Sequence, residues 1–198
     1  ANGDVSVVTG SFNLPTTTAT AGIININGVR NFHTYTHPSC VSNGFFKNIF
    51  IGDGSGTFSE NFGPTGTSYH QGSGNVGIGA NTLDALTTGY YNFAMGYNAG
   101  TALTSGDSNV LIGTQAGLSL TIASSNIFIG RDCASSFTTG GNNLGLNVAI
   151  GAYSHRYTNG SFNACLGYAA GRGATGQTYS GSTFIGYNSG YSCTTGSR

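Results

Sequence analysis

One short phrase recurs along this chain, and it restricts the fold more than any other feature. The phrase is Asn, two variable residues, Ile, Leu or Met, Gly, two variable residues and a small residue. Between residues 75 and 126 it returns every 17 residues, and elsewhere the spacing is 16, 19, 21 or 27. Such a period indicates a stack of equivalent structural units. The eight copies begin at Asn48, Asn75, Asn92, Asn109, Asn126, Asn147, Asn163 and Ser182.

The second and fourth positions of the phrase are mostly apolar, as in Ile49 and Ile51 or Val110 and Ile112. Alternate residues of a strand point to the same face, so these two positions share one face. We expect that face to line the interior of a coil. A second apolar series with the same period would complete the interior from the opposite wall: Leu86, Leu103, Leu120 and Phe137.

Two further positions carry backbone and side-chain constraints. Glycine fills the fifth position in all eight copies, from Gly52 to Gly186. This predicts a positive φ or the close passage of another backbone. The asparagines of the first position are expected to stack and to hydrogen-bond along the coil, as polar ladders do in stacked strands.

Together these patterns predict an all-β fold, a parallel β-solenoid or β-roll of about eight rungs of 16–21 residues. The repeats occupy residues 45–198, and residues 1–44 form an N-terminal segment with its own strands. The first of these strands contains Val5, Val7 and Val8. Two arrangements stay open for the segment. It caps the first rung of its own chain, or it adds to an edge of a neighbouring subunit as a donor strand.

The third position is expected to face outward, yet it carries no charge and includes three phenylalanines. An apolar face outside the core marks an interface, so we favour self-association through this column. The alternative is an unusual core in which these residues alternate between small and large. The residues assigned to self-association are Phe50, Ala94, Leu111, Phe128, Ala149, Cys165 and Phe184.

The charge content excludes some partners. Only 6% of residues are charged and the net charge is zero, which offers no basic field for nucleic acid or an anionic membrane surface. No apolar run approaches the ~20 residues of a membrane span. Little electrostatic repulsion keeps copies apart, which favours an assembly. A start at Ala1 suits a mature, secreted form whose signal peptide has been removed.

Residues with reactive side chains form no recognisable catalytic pattern. His33 and His37 on one strand would lie ~13 Å apart, too far for a single metal, and the loop at 52–56 is a weak calcium or phosphate candidate. Without a paired carboxylate or a nucleophile elbow, neither an enzyme nor a cofactor is expected. The cysteines form no Cys-x-x-Cys pair, so zinc is not expected. Cys165 either pairs across an interface or stays free.

Two columns suggest surface roles. Exposed tyrosines suit carbohydrate stacking or subunit contacts, which makes a glycan or a host surface a possible partner. A threonine column at Thr87, Thr104, Thr121 and Thr138 is compatible with ice binding. The tyrosines near turns are Tyr90, Tyr91, Tyr97, Tyr168, Tyr187 and Tyr191.

The phrases N-V-A-I-G-A-Y-S at 147–154 and N-F-A-M-G-Y-N-A at 92–99 resemble the head repeats of YadA-like trimeric autotransporter adhesins, and similar repeats occur in phage tail fibres. The resemblance covers about 150 of the 198 residues. It implies a left-handed β-roll, three of which pack around an axis. We therefore expect a structural subunit of an extracellular self-associating fibre, either a trimer or a filament. A phage tail-fibre segment and an ice-binding solenoid are the alternatives.

Overall fold

The structure is a computed structural model, and it describes residues 23–26, 29–33, 48–56, 72–138, 145–193 and 195–197. Within these ranges the regular secondary structure consists of strands joined by turns, without a helix. No helix capable of crossing a membrane is therefore found among these residues.

The main sheet contains ten strands, of which eight stack in parallel. These eight strands have three residues each, and equivalent positions of the repeat pair directly with one another, as Ala94 does with Leu111. The parallel strands are β3 (Ile49–Ile51), β4 (Val76–Ile78), β5 (Phe93–Met95), β6 (Val110–Ile112), β7 (Ile127–Ile129), β8 (Val148–Ile150), β10 (Ala164–Leu166) and β12 (Thr183–Ile185).

The opposite wall is built mainly from turns. Its rungs are joined by backbone hydrogen bonds, such as that from Thr87 N to Thr104 O at 2.8 Å. Regular strands occur there only near the C-terminal rungs of the described chain, where β9 (Thr158–Asn159), β11 (Gln177–Ser180) and β13 (Thr195–Ser197) form a parallel sheet. The predicted all-β solenoid is confirmed. The turns after β3 and β7 include residues outside the described ranges, so fewer complete coils are described than the eight predicted.

The first rung is covered by a hairpin of its own chain. Strands β1 (Ile23–Ile26) and β2 (Val29–His33) pair in antiparallel fashion, and β2 then pairs antiparallel with β3. Phe32 lies opposite Ile51 in this register. The hairpin thus caps the sheet edge that β3 would otherwise expose. The predicted strand containing Val5, Val7 and Val8 lies outside the described residues.

The glycine at the fifth position meets both expectations. Gly96 has a φ of 127°, which L-residues with side chains rarely adopt. A Cβ on Gly96 would also lie 2.7 Å from the carbonyl carbon of Gly113 on the next rung. All eight glycines of this position have φ between 116° and 136°. The chain therefore bends at the same place in every rung and the rungs stack closely there.

The predicted orientation of the strands is wrong, because the third position faces the core and the second and fourth face outward. The alternative of a core that alternates small and large residues is the correct one. Leu86 and its equivalents lie in the opposite wall of that core, as predicted. The residues assigned to an outward interface are buried, with Phe184 partly so: Phe50, Ala94, Leu111, Phe128, Ala149, Cys165 and Phe184.

The side chain at the third position varies in size because it shares a narrow core with the side chain six residues later in the chain. Where the strand supplies Phe50, the turn supplies Gly56, and a Cβ on that glycine would lie 2.5 Å from the phenyl ring. Where the strand supplies Gly77, the turn supplies the buried Leu83. This exchange of volume keeps a thin coil densely packed.

Candidate functional site

The side chains of the second and fourth positions form a flat apolar surface on the outside of the main sheet, which we name the outer aliphatic face. Ile49 and Ile51 are each 41% exposed, and Ile185 is 67% exposed. Equivalent residues of neighbouring strands pair directly, so they form two straight columns. The face consists of Ile49, Ile51, Val76, Ile78, Phe93, Met95, Val110, Ile112, Ile127, Ile129, Val148, Ile150, Ala164, Leu166, Thr183 and Ile185.

Large apolar residues extend this face on both sides. Tyr91, Leu146 and Phe162 precede the asparagine position, and the exposed side chains of Leu146 and Phe162 border the face. Tyr97, Tyr168 and Tyr187 follow the glycine and form part of the other border, where Asp53 and Arg131 are the equivalents in two other rungs. With eight strands ~4.8 Å apart, the face is roughly 34 Å long, and about 20 Å wide with its borders. The face and its borders thus cover roughly 700 Å², of which the uncharged columns of the strands supply about half, within the range of the largest patch on a typical monomer.

The outer aliphatic face carries no charge. Among the described residues, none of its positions on the parallel strands holds Asp, Glu, Lys, Arg or His. The exposed face of a sheet is ordinarily polar, because only the other face packs on the core. An uncharged apolar face of this size therefore has the composition of an interface core.

The face is held flat by a ladder of buried asparagines directly beneath it. Asn109 Nδ2 donates to Asn92 Oδ1 at 2.9 Å, and Asn109 N donates to the same oxygen at 3.0 Å. The same pair of bonds repeats from Asn48 to Asn163, and Ser182 N donates to Asn163 Oδ1 at 3.1 Å. The predicted ladder is confirmed, and it fixes each rung at the same height.

A second cluster of polar side chains is buried inside the coil near β10. The Nδ1 atom of His155 lies 3.0 Å from Tyr179 Oη, 3.3 Å from Thr158 Oγ1 and 3.8 Å from Cys165 Sγ. Burial lowers the pKa of His155 to about 4 and raises the pKa of the Cys165 thiol to about 12. Both groups are therefore neutral near pH 7, so the pair lacks the thiolate that nucleophilic catalysis requires.

The structure shows the state of three of the four cysteines. Cys133 and Cys165 are buried and free, and Cys193 is free and half-buried. Because Cys165 lies in the core, the hypothesis that it pairs across an interface is wrong. Cys40 lies outside the described residues.

The predicted threonine column and metal candidates are less suited to binding a ligand than the outer aliphatic face. Thr87 Oγ1 and Thr104 Oγ1 donate to carbonyls of the next rung, at 2.9 and 3.0 Å. Their hydroxyls are thus engaged in the wall. No cluster of three or more His, Cys, Asp or Glu side chains that would suit a metal is found within the described ranges. His37 lies outside them.

Of the predicted tyrosines, Tyr91 lies on one border of the face and Tyr97, Tyr168 and Tyr187 on the other, whereas Tyr191 lies farther along its turn, beside Arg172. Tyr90 and Tyr91 pack edge to face, with ring centroids 5.2 Å apart. Tyr168 and Tyr187 stack with a 14° angle between their rings. No sequence pattern singled out the arginines that lie beside Tyr153 and Tyr157, because single charges in a turn column give no periodic signal.

Comparisons with protein-family models, curated proteins and solved structures found no match for this chain.

Proposed function

We propose that this chain is a structural subunit of an extracellular fibre and that its outer aliphatic face binds other copies of the same chain. The observation that carries the proposal is that two columns of mostly aliphatic side chains, half-buried or exposed, face outward on an uncharged sheet. The solenoid already buries its own core, so the apolar outer columns serve no purpose in the fold of a single chain.

Another copy is the occupant that the face fits best. Two such faces present apolar columns with the same ~4.8 Å repeat, so side chains of one copy can fit between those of another. The area of roughly 700 Å² is close to the ~800 Å² that each partner contributes to a stable interface. The strand columns of a copy also bring no charge that would be buried without a partner.

The resemblance to YadA-like heads supports a closed, three-fold arrangement. Three outer aliphatic faces meeting at an axis would bury one another completely, as homo-oligomers with closed symmetry do. Burial of the whole face would remove the aggregation hazard that an exposed apolar sheet presents. In a filament, the same faces would pair between successive subunits.

The test is to place charges on the face and measure assembly. Ile112→Lys combined with Ile129→Lys puts two cations on adjacent rungs. A matched control, Ala85→Lys combined with Ser105→Lys, adds the same charge at exposed positions away from the face. Light scattering after gel filtration gives the mass, negative-stain microscopy separates trimers from filaments, and circular dichroism checks the fold.

We expect the unmodified chain and the control to assemble and the Ile112/Ile129 variant to be a folded monomer. Assembly that survives the two face lysines would refute the proposed interface. A monomeric unmodified chain at high concentration would refute self-association as a whole.

A further inference from the structure

Arginines and tyrosines alternate along one corner of the solenoid, beside the turns that follow β7, β8 and β10. Each ring lies between two guanidinium groups or under one, so cations and rings are interleaved across successive rungs. We name this feature the arginine–tyrosine ladder, and its members are Arg131, Tyr153, Arg156, Tyr157, Arg172 and Tyr191.

The distances in the ladder are nearly uniform. The Cζ atoms of Arg131 and Arg156 lie 4.7 and 5.0 Å from the centroid of the Tyr153 ring. Those of Arg156 and Arg172 each lie 4.9 Å from the Tyr157 ring. Stacking on rings holds the guanidinium groups in defined planes and leaves their N–H donors at the edges.

An open cleft of about 270 Å³ lies on this ladder, lined by Tyr153, Arg156, Tyr168 and Arg172. Tyr168 packs edge to face on Tyr153, with ring centroids 5.6 Å apart. Tyr168 also stacks on Tyr187, which is 76% exposed. The cleft therefore combines broad aromatic faces with two cationic side chains.

The protein neutralises the cations of the ladder only in part. Within the described residues the ladder has one carboxylate neighbour, Asp132, whose Oδ1 lies 4.0 Å from Arg156 Nη2. The Nε atoms of Arg156 and Arg172 are buried and have no hydrogen-bond partner. Because both Nε atoms are buried, a ligand in the cleft would meet the Nη atoms instead, and Arg172 Nη1 already donates to Tyr191 Oη.

We propose that the arginine–tyrosine ladder binds an acidic polysaccharide. Guanidinium groups recognise carboxylate and sulfate oxygens through paired N–H donors. Tyrosine presents a broad apolar ring with a polar tip, which suits the C–H face of a sugar ring and its hydroxyls. The cleft offers both at once, as ligand sites with a few well-placed polar groups do.

The ladder favours a polymer with many acids over a single acidic sugar. Two guanidinium carbons flank each ring of Tyr153 and Tyr157, so neighbouring cations lie no more than about 10 Å apart. Three arginines on successive rungs can then meet several acids of one chain.

Nucleic acid fits the ladder less well. A nucleic-acid surface needs an extended basic field, whereas the whole chain has a net charge of zero.

The experiment uses the full chain and isothermal titration calorimetry at two salt concentrations. The probes are a hyaluronan oligosaccharide with carboxylates alone, a heparin oligosaccharide with sulfates, neutral cellohexaose and a single-stranded oligothymidylate. The variants are Arg156→Gln, Arg172→Gln and Tyr168→Ala. Tyr97→Ala is the matched control, because Tyr97 lies in the same column and is exposed but has no arginine beside it.

We expect at least one acidic oligosaccharide to bind, and the preferred one identifies the acid as carboxylate or sulfate. Each arginine substitution should weaken binding about tenfold, since it removes a charge-assisted hydrogen bond. Tyr168→Ala should weaken it to a similar degree, and Tyr97→Ala should leave it unchanged. Circular dichroism of each variant confirms that the solenoid is intact.

Three results would overturn the proposal. Cellohexaose binding as tightly as the acidic sugars would remove the role of the arginines. Oligothymidylate binding more tightly than both would point to nucleic acid. Absence of binding to either acidic oligosaccharide at low salt would leave the ladder as a purely structural stack.

Discussion

Asn92 and Asn75 are joined by two hydrogen bonds to one oxygen. The backbone N and the side-chain Nδ2 of Asn92 both donate to Asn75 Oδ1, at 2.9 and 3.0 Å. Asn92 Nδ2 also donates to Gly106 O at 2.9 Å, on the opposite wall of the same rung. Each asparagine therefore links three pieces of backbone, and the ladder fixes the height of the rungs and the width of the coil.

Asn92→Ala should be strongly destabilising, because it removes this link from the middle of the ladder. The substitution leaves the backbone N of Asn109 and the carbonyl of Gly106 without their buried partner, while Asn109 Nδ2 keeps its bond to Ala123 O. We expect a loss of roughly 3 kcal/mol in the free energy of unfolding, since each buried unsatisfied group costs about 1–3 kcal/mol. Urea denaturation monitored by circular dichroism gives the value.

Asn159→Ala is the matched control for the ladder. Its amide bonds to Thr138 are exposed, so water replaces them and the expected loss stays under about 1 kcal/mol. Equal losses for Asn92→Ala and Asn159→Ala would show that the ladder adds no special stability.

Much of this fold could be predicted from the sequence because stacking makes each constraint visible eight times. The glycine of the fifth position recurs since every rung bends there, and the asparagine recurs since every rung joins the same ladder. The wall of Leu86 and Leu103 follows from the same period. The cap that the hairpin β1–β2 forms on β3 is one of two arrangements that the sequence allows, because nothing local states which edge a strand will cover.

The orientation of the strands could not be predicted from apolar character, since both faces are apolar. The outer columns are mostly aliphatic and so have the composition expected of a core. Two other features of the sequence predict the observed orientation, with the third position buried. Asn48 and Phe50 lie two residues apart and share a face, so a buried ladder requires a buried third position. The matched sizes of Gly77 and Leu83 also indicate that these residues share one enclosed volume.

Leu111→Ala and Ile112→Ala test this orientation with neighbouring residues. Leu111 is fully buried, so its truncation should leave a cavity and cost about 2–5 kcal/mol. Ile112 lies on the outer aliphatic face, and its truncation should cost under about 1 kcal/mol in the monomer. Urea denaturation at concentrations too low for association gives both values. A larger loss for Ile112→Ala than for Leu111→Ala would contradict the observed orientation.

Gly96→Ala and Gly186→Ala separate backbone strain from a steric clash. Both glycines have positive φ, at 127° and 116°. A Cβ on Gly96 would meet the backbone of Gly113 at 2.7 Å, whereas a Cβ on Gly186 would meet nothing within 4 Å. We expect Gly186→Ala to cost about 1–3 kcal/mol from strain alone, and Gly96→Ala to cost clearly more. The melting temperatures of the two variants measure this difference. Equal melting temperatures would mean that the rungs move apart at Gly96 to accept a methyl group.

Thiol labelling distinguishes the buried cysteines from Cys193. Burial raises the pKa of the Cys133 and Cys165 thiols, that of Cys165 to about 12. Almost no thiolate is then present at pH 8, so iodoacetamide should not modify either residue in the folded chain. In a Cys40→Ser background we expect one rapid modification, at Cys193, and three after denaturation. Mass spectrometry of the intact chain counts them, and rapid labelling of Cys165 would contradict its core position.

His155 should make the fold sensitive to mild acid. Burial lowers its pKa to about 4 in the folded chain, whereas the unfolded chain has the ordinary value of about 6.5. Between these values the unfolded state binds more protons, so stability is full above pH 6.5 and falls as the pH is lowered. The slope approaches about 1.4 kcal/mol per pH unit and ends near pH 4.

The measurement is the free energy of unfolding at pH 7.5, 6, 5 and 4.5 for the unmodified chain and for His155→Gln. The difference between the two chains isolates His155, because the other titrating groups are common to both. We expect this difference to shrink steadily below pH 6.5 as the unmodified chain loses its advantage. A difference that is independent of pH would mean that His155 accepts a proton inside the coil, with Tyr179 Oη as the acceptor of its charged form.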